Sequence, residues 1–326
     1  METDNTIRTQ LELFPKEVKK GQKTKTIIVR KSSSKNFRGW NDVVASMAKN
    51  FSVSSRKYFA GMTDGDGSFH IPDKYPGKLR IGLELRHDHA EPVLKLAEIF
   101  DLTISKKIYL KKKGNTQPTL KVELSGIKAK VFLFSIYPYL LEKKDKARKV
   151  LLALDCGEKY LPKEKQFSFE YLAGYTDAEG TVNFSLRHEK NKTGSITSSY
   201  QQYYLLTSNN SGHLQFIKKN LIDLGFDHFR KDYIRTYRKE KREGREGRNP
   251  EKWGDTSSIF LGGTPTQLSK FYKNVEPFIL IKHKKENMHH TMTYDRVITS
   301  NERFKEMKAK CSGINYTRIP GVKGKQ

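Results

Sequence analysis

Cysteine is scarce in this chain, which has only two among 326 residues, Cys156 and Cys311. Two cysteines do not supply a disulfide framework or a cysteine-based metal cluster. Long hydrophobic runs are missing as well, since no stretch reaches the roughly 20 apolar residues of a membrane-spanning helix. The N-terminal region has no apolar signal core and carries acidic residues that are atypical of a transit peptide. We therefore expect an intracellular, reducing location and no membrane partner, with an organelle and a prokaryotic cytoplasm both open.

Acidic residues are few beside the basic ones, because 62 Lys and Arg stand against 36 Asp and Glu, which leaves a formal net charge of +26. A surplus of this size opposes a compact fold through self-repulsion unless a polyanion neutralises it. Nucleic acid is the first candidate for that partner and an anionic membrane surface is the second. A lysine surface that is merely solvated is the alternative without a partner. The length is sufficient for two domains of ordinary size.

A segment of the chain occurs twice. The stretch "YFAGMTDGDGSFHI" (58–71) has a counterpart in "YLAGYTDAEGTVNF" (171–184), and the two agree in Tyr, Ala, Gly, Thr, Asp and the last Gly. Asp66 of the first copy corresponds to Glu179 of the second, 113 residues later. A single repeat at this distance indicates a domain-sized duplication rather than a solenoid.

A second pair of segments follows the first in the same order. These are "YPYLLEKKDKARKV" (137–150) and "VEPFILIKHKKENM" (275–288), each with a proline, an apolar stretch and a basic end. Lys143 lies five residues after Pro138, and Lys282 lies five residues after Pro277. The matching order predicts two halves of the same architecture.

The hydrophobic pattern between these segments predicts an α+β fold. We expect two pseudosymmetric αββαββα halves, each with a four-stranded antiparallel saddle sheet, which join through the two packed motif helices. The second half has a long charged insertion at 235–255, for which a solvated loop and a strand extension that grips phosphates both remain open. The expected domain ranges are a basic, partly flexible extension at 1–50, the first domain at 51–160, the second at 161–310 and a basic tail at 311–326.

The acids of the repeated segment stand where a helix is expected to end. The C-terminal end of a helix is electronegative, so a carboxylate there is unfavourable by roughly 0.3–1 kcal/mol. A calcium loop of the EF-hand type is excluded, because its sixth and twelfth positions, counted from Asp64, hold Phe69 and Tyr75 instead of Gly and Glu. If the two motif helices pack together, Asp66 and Glu179 become neighbours, and a Mg²⁺ ion would remove their repulsion.

The motifs "FAGMTDGDG" (59–67) and "LAGYTDAEG" (172–180) resemble the two signature motifs of the single-chain, pseudosymmetric LAGLIDADG homing endonucleases. The resemblance covers about residues 55–300. It implies that Asp64 and Asp177 are structural and that a cation is bound by the eighth-position acids and the preceding backbone carbonyls. The implied metal ligands are Asp66, Glu179, Gly65 and Ala178, and the implied catalytic residues are Asp66, Glu179, Lys143 and Lys282.

The resemblance also implies a function. It predicts a monomeric endonuclease that makes a double-strand break at a long asymmetric DNA target by Mg²⁺-dependent phosphodiester hydrolysis, with Mn²⁺ as a substitute. The gene would be intron-encoded, and the break would promote intron homing. The alternative is a maturase that binds its host intron RNA and cleaves DNA weakly or not at all. Acids at both metal positions favour retained cleavage.

An antiparallel ribbon fits the major groove of DNA, where the base edges can be distinguished. Strand alternation assigns outward-facing DNA contacts to His70, Lys74, Arg80, Lys107, Tyr109, Lys111 and Lys121 in the first half and to Asn183, Ser185, Arg187, Arg235 and Arg238 in the second. Further polar groups of the active site are expected at the ends of the second strands, from His87 or His89 and from Ser208 or Asn209.

Overall fold

The computed structural model describes residues 51–72, 78–107, 118–154, 158, 161–163, 165–190, 196–228, 256–262 and 265–293. The side chains of 106–107, 184–190, 196–201, 265 and 293 lie outside this description. The predicted extension at 1–50, the insertion at 235–255 and the tail at 311–326 also lie outside the described residues. The domain boundaries therefore stay predictions.

The first half begins with the motif helix. Ser52 caps this helix, because its side-chain oxygen accepts a hydrogen bond from the Ser55 amide at 3.1 Å. A short 3-10 turn at Tyr137–Tyr139 contains Pro138 and precedes the last helix of the half. In order, the elements are α1 (Val53–Gly65), β1 (Ser68–His70), β2 (Arg80–Arg86), α2 (Glu91–Phe100), β3 (Ser105–Lys107), β4 (Thr119–Ser125), α3 (Gly126–Ile136) and α4 (Lys144–Ala153).

The first sheet has the strand order β1-β2-β4-β3, and all its neighbouring strands are antiparallel. In β4 the side chains of Leu120, Val122 and Leu124 are buried, as the alternation of the sequence predicts. Their burial places the polar positions of the same strand on the opposite face of the sheet.

The second half repeats this order of elements among the described residues. Its sheet has three described antiparallel strands in the order β5-β6-β7, and a fourth strand stays a prediction. A 3-10 turn at Glu276–Phe278 contains Pro277. The elements are α5 (Phe169–Glu179), β5 (Gly180–Lys190), β6 (Ile196–Ser208), α6 (Ser211–Asp223), β7 (Ser257–Leu261), α7 (Pro265–Val275) and α8 (Lys282–Thr293).

The two motif helices α1 and α5 pack directly against each other. A Cβ atom at Gly61 would lie 2.0 Å from the carbonyl oxygen of Tyr171, and one at Gly174 would lie 1.8 Å from that of Tyr58. Only glycine permits such an approach of two backbones. The expectation that the two motif helices pack against each other is therefore confirmed.

Aromatic side chains fill the core next to α1. Phe51 stacks on Phe132 at 5.8 Å between ring centroids and meets Phe59 and Phe100 in tilted and edge-on geometry. These rings fix the outer side of α1 and leave its inner side for α5. Among the helices that the structure describes, none is long and apolar enough to cross a membrane.

Candidate active site at the ends of the motif helices

The two acids of the repeated motifs meet where α1 and α5 end. A Cβ atom at Gly65 would lie 2.3 Å from the Cβ atom of Ala178 and 3.1 Å from Cγ of Glu179, so the helix ends are in contact. Asp66 directly follows α1, and Glu179 is the last residue of α5. The structure thus brings both predicted metal ligands, and the carbonyl groups that precede them, to one junction.

The electrostatics of this junction disfavour two ionised carboxylates. Solvent reaches Asp66, but the surrounding protein lowers its hydration, and this effect together with the charge of Glu179 raises the pKa of Asp66 to about 6. Loss of hydration also raises the pKa of Glu179, against the opposing charges of Lys143 and Lys284. Groups with pKa values moved toward neutrality are typical of functional sites.

Lys143 caps the end of α1 from inside the protein. Its Nζ atom donates hydrogen bonds to the carbonyl oxygens of Thr63 at 2.7 Å, Gly65 at 2.9 Å and Gly67 at 2.9 Å. Burial lowers the pKa of Lys143, although the nearby carboxylates oppose that shift. A cation at the negative end of a helix offsets its dipole, which helps to explain how the helix tolerates an acid there.

Lys284 has the equivalent position in the second half. Its Nζ atom donates to the carbonyl oxygens of Thr176 at 2.7 Å and Asp177 at 2.9 Å, and the residue is only 7% exposed. Lys282, which the proline spacing selects, has a side chain that is 67% exposed and lies 3.9 Å from Glu286. The structure therefore places Lys282 outside the junction, and Lys284 replaces it as the second-half lysine of the site.

The difference arises from where the basic helices begin. Helix α4 begins directly after Lys143, whereas α8 begins at Lys282 itself, and Lys284 is its third residue. Side chains of a helix tilt toward its N-terminus, so a lysine in the first turn can reach back to a neighbouring helix end. The run "KHKKE" offers three lysines, and spacing along the chain does not distinguish among them.

Asp64 and Asp177 hold the lysine-bearing segments in place. Asp64 accepts hydrogen bonds from the amides of Leu141 at 2.8 Å, Glu142 at 3.1 Å and Lys143 at 2.8 Å. In the second half, Asp177 Oδ2 accepts from the amides of Leu280 at 2.8 Å and Ile281 at 3.3 Å. These contacts show how the sixth motif position can act as a structural support.

The second half departs from the first at one amide. The Lys282 amide donates to Oε1 of Glu91, in the first half, at 3.3 Å instead of bonding to Asp177. Asp177 Oδ1 consequently has no hydrogen-bond partner among the described residues, although the side chain is buried. Burial raises the pKa of Asp177. The start of α8 is thus attached to the other half of the molecule.

Two tyrosines connect the halves through these aspartates. Tyr58 donates its hydroxyl to Asp177 Oδ2 at 2.6 Å, and Tyr171 donates to Asp64 Oδ2 at 2.7 Å. Each tyrosine therefore crosses from its own motif helix to the aspartate of the other motif. Sequence reasoning assigned them no role, but the available signal was their identity in both copies of the repeat.

Removal of one crossing hydroxyl should destabilise the fold. We expect Tyr171→Phe to lower the free energy of unfolding by about 1–3 kcal/mol, because a buried charged acceptor loses a hydrogen bond. Tyr139→Phe is the matched control, since no hydrogen-bond partner of its hydroxyl is found among the described residues. Urea denaturation followed by circular dichroism measures both variants, and equal stabilities for the two would contradict the prediction.

A buried polar cluster on one flank of the junction had no sequence signal. Tyr175 donates its hydroxyl to Glu142 at 3.5 Å, and His213 Nε2 lies 3.9 Å from the same carboxylate oxygen. Loss of hydration, with the charge of Asp64, raises the pKa of Glu142 to about 6. Burial lowers the pKa of His213 to about 4, so this imidazole is neutral at pH 7.

The four polar residues that the sequence places at the ends of the second strands each have their own surroundings. His89 stacks on His283 at 4.5 Å between ring centroids, and burial lowers the pKa of both. His87 is exposed in the turn after β2. Ser208 Oγ accepts from the Asn210 amide at 2.9 Å, and Asn209 Oδ1 accepts from the Thr256 hydroxyl at 3.3 Å. A role for these side chains in the site is a prediction from the sequence.

The predicted DNA-contacting side chains are only partly described. His70 and Arg80 are exposed and face each other across β1 and β2. Lys121 lies 3.0 Å from Glu123, and Asn183 donates its amide to the Tyr203 hydroxyl. Ser185 and Arg187 are in β5 and Lys107 is in β3, but their side chains are not described, and Lys74, Tyr109, Lys111, Arg235 and Arg238 lie outside the described residues.

The junction fits a small divalent cation held by oxygen atoms. Within the described part of the chain, neither the Asp66 nor the Glu179 side chain accepts a hydrogen bond, and their like charges are crowded together. No cluster of three or more His, Cys, Asp or Glu that could hold a metal occurs in the same part. Two carboxylates with a few backbone carbonyls suit Mg²⁺, which usually retains several waters and binds phosphate oxygens.

The chain matches no protein-family model and no curated protein at a significant level. It is similar to solved structures of DNA-bound proteins over most of its length. The meganuclease I-SmaMI, bound to uncleaveable DNA, has 13% identity and a TM-score of 0.47, with 81% of this chain and 99% of that chain covered. The I-LtrWI LAGLIDADG homing endonuclease, bound to target DNA, has 14% identity and a TM-score of 0.49, with 82% and 100% covered.

Proposed function

We propose that this protein is a site-specific DNA endonuclease of the LAGLIDADG homing type, which hydrolyses both strands of a long asymmetric target with Mg²⁺ as its cofactor. The observation that carries the proposal is the meeting of Asp66 and Glu179 at the ends of two packed helices, one end capped by the half-buried Lys143 and the other by the buried Lys284. We further propose that the enzyme is monomeric, intron-encoded and promotes homing of its intron.

The carboxylates of Asp66 and Glu179 and the carbonyls of Gly65 and Ala178 would hold the divalent cations. When bound, such a cation activates water and stabilises the oxygen that leaves the phosphodiester. The tyrosine–aspartate contacts join the two motif helices at the residues just before their ends, next to Asp66 and Glu179. Lys143 and Lys284 supply positive charge beside the acids, which favours the approach of a phosphate group.

The sheets and the net charge would provide DNA affinity. Exposed cationic side chains such as Arg80 on the first sheet would contact phosphates or base edges. A charge of +26 supports a strongly salt-dependent affinity, because neutralised phosphates release counterions. No contact among the described residues favours the maturase alternative, which stays a hypothesis.

Selection of cleaved sites from a randomised duplex DNA library tests the proposed function. With Mg²⁺ we expect one long, asymmetric consensus and products cut in both strands, and with EDTA in place of Mg²⁺ we expect no products. Sequence-specific binding without any cleavage under either condition would refute the endonuclease proposal.

Replacement of each second-half lysine by methionine, one at a time, tests which of the two belongs to the site. We expect Lys284→Met to reduce the cleavage rate by about 10²-fold or more, because a buried positive charge beside the reacting groups is lost. Lys282→Met removes the same charge from the exposed start of α8 and should change the rate by less than about threefold. Single-turnover rates of folded protein measure both, and a larger loss in Lys282→Met would reverse the assignment.

A further inference from the structure

The two lysines of the site contact different sets of carbonyl groups. Lys143 Nζ donates to Gly65 at 2.9 Å, whose carbonyl oxygen is one of the proposed cation ligands. The counterpart of Gly65 in the second motif is Ala178. Lys284 Nζ donates only to the preceding carbonyls of Thr176 and Asp177. Among the described side chains, none donates to the carbonyl of Ala178.

This inequality follows from the different starts of the basic helices. Lys143 precedes α4 and spans carbonyls on both sides of Gly65, from Thr63 to Gly67. Lys284 projects from the first turn of α8 and reaches the carbonyls of Thr176 and Asp177, which precede Ala178. Lys143 follows Pro138 by five residues and Lys284 follows Pro277 by seven, so the two ammonium groups come from different positions and contact different carbonyls.

A carbonyl oxygen has two lone pairs, so one of them can still bind a cation when the other accepts a hydrogen bond from an ammonium group. The ammonium does repel that cation, and the repulsion between two positive charges at one partly buried oxygen is stronger than in bulk water because fewer waters screen it. The Gly65 carbonyl is therefore a weaker cation ligand than the Ala178 carbonyl while Lys143 remains bound to it.

We propose that the site holds two unequal cation positions: the one that includes the Ala178 carbonyl fills first, and the one that includes the Gly65 carbonyl fills only when Lys143 releases it. The inference rests on the proposed metal-dependent function. Lys143 is in this view a positioning residue, which regulates access to a backbone ligand.

Carbonyl NMR of the full chain tests the order of filling without any cleavage reaction. Pair labelling with carbonyl ¹³C and amide ¹⁵N gives two Gly–Asp signals, at 65–66 and 254–255, and three Ala–Glu signals, at 90–91, 97–98 and 178–179. Single substitutions in the other pairs assign the Gly65 and Ala178 signals, which are then followed during titration with Mg²⁺. We expect the Ala178 signal to move first, with a midpoint about tenfold lower in Mg²⁺ than that of Gly65, as a charge-assisted hydrogen bond must be displaced at Gly65.

Two charge-matched variants separate this effect from general electrostatics. Lys143→Met and Lys284→Met remove the same charge, but only Lys143→Met frees the Gly65 carbonyl. Titration with Mn²⁺, followed by electron paramagnetic resonance of the free ion, should show two affinities in the wild type and in Lys284→Met. In Lys143→Met the ratio of the two Mn²⁺ dissociation constants should fall below about threefold. Circular dichroism establishes whether each variant is folded. If a variant is unfolded, the NMR titration of the wild type still tests the order of filling.

The outcomes distinguish this inference from the proposed function. Equal midpoints for Gly65 and Ala178, or the same change in both lysine variants, overturn the unequal positions while cleavage of DNA continues. If neither carbonyl signal responds to Mg²⁺ and no DNA is cut, the proposed function and the inference are both overturned.

Discussion

The Asp66→Asn/Glu179→Gln double variant is expected to bind DNA but to cleave it at least about 10³-fold more slowly than the wild type. Both substitutions keep the size of the side chain and remove the charges that would hold the cation. Loss of several kcal/mol of charge stabilisation in the transition state corresponds to a rate loss of this size. Cleavage assays with the DNA target obtained by library selection, together with electrophoretic binding assays, measure the two properties separately.

The same variant should remain folded, because the wild-type acids oppose folding at neutral pH. The pKa of Asp66 is about 6 in the folded protein and 3.8 in the unfolded chain, so the folded state binds the proton more tightly. Without metal, the contribution of Asp66 to stability is therefore highest below pH 4 and is lost as the pH rises through about 6. Asn at this position removes that pH dependence, which urea denaturation at a series of pH values would show.

A matched pair of exposed acids provides the control for the double variant. Glu98 and Asp223 are exposed on α2 and α6, away from the junction. Glu98→Gln/Asp223→Asn removes the same number of charges and should leave the cleavage rate unchanged within about twofold, since surface ion pairs have little energetic effect. Retained cleavage by the Asp66→Asn/Glu179→Gln variant would refute the assignment of the metal ligands.

The Gly61→Ala and Gly174→Ala variants are each expected to lose about 3 kcal/mol or more of folding free energy. The added methyl group at either position would lie at 2.0 Å or less from a backbone oxygen of the opposite helix. A backbone oxygen cannot rotate away as a side chain can, so the helices must separate. Separation would also move Asp66 and Glu179 apart, and we expect cation binding to weaken with stability.

Gly212→Ala is the matched control for these variants. Gly212 is also helical, but a Cβ atom there would lie 3.4 Å from its nearest neighbour, Asn210 Oδ1, which is an ordinary contact. Alanine has the higher helix propensity, by up to about 1 kcal/mol, so this variant should be as stable as the wild type or more so. If Gly61→Ala unfolds at the same urea concentration as Gly212→Ala, the close backbone contact is not needed.

The pattern of the sequence was sufficient to predict the duplication, the order of helices and strands, and the positions of the motif acids. A repeat of 113 residues placed Asp66 and Glu179 at matching positions and so made both acids candidate metal ligands, and glycine beside alanine in each motif indicated closely packed helices. The buried face of β4 followed from the alternation of Leu120, Val122 and Leu124. Such features depend on neighbours along the chain, and a linear pattern therefore contains them.

The places of the lysines and tyrosines in the site depend on contacts between residues that are far apart in the sequence. Lys282 and Lys284 differ by two residues in sequence, yet one is exposed and the other buried, because the first turn of α8 directs them differently. Tyr58 and Tyr171 matched in the repeat, but only the docking of α1 on α5 brings each hydroxyl to the aspartate of the other motif. The repeated motifs thus specify which acids the protein has, and the packing of two helices decides which lysine, which tyrosine and which backbone carbonyl each acid meets.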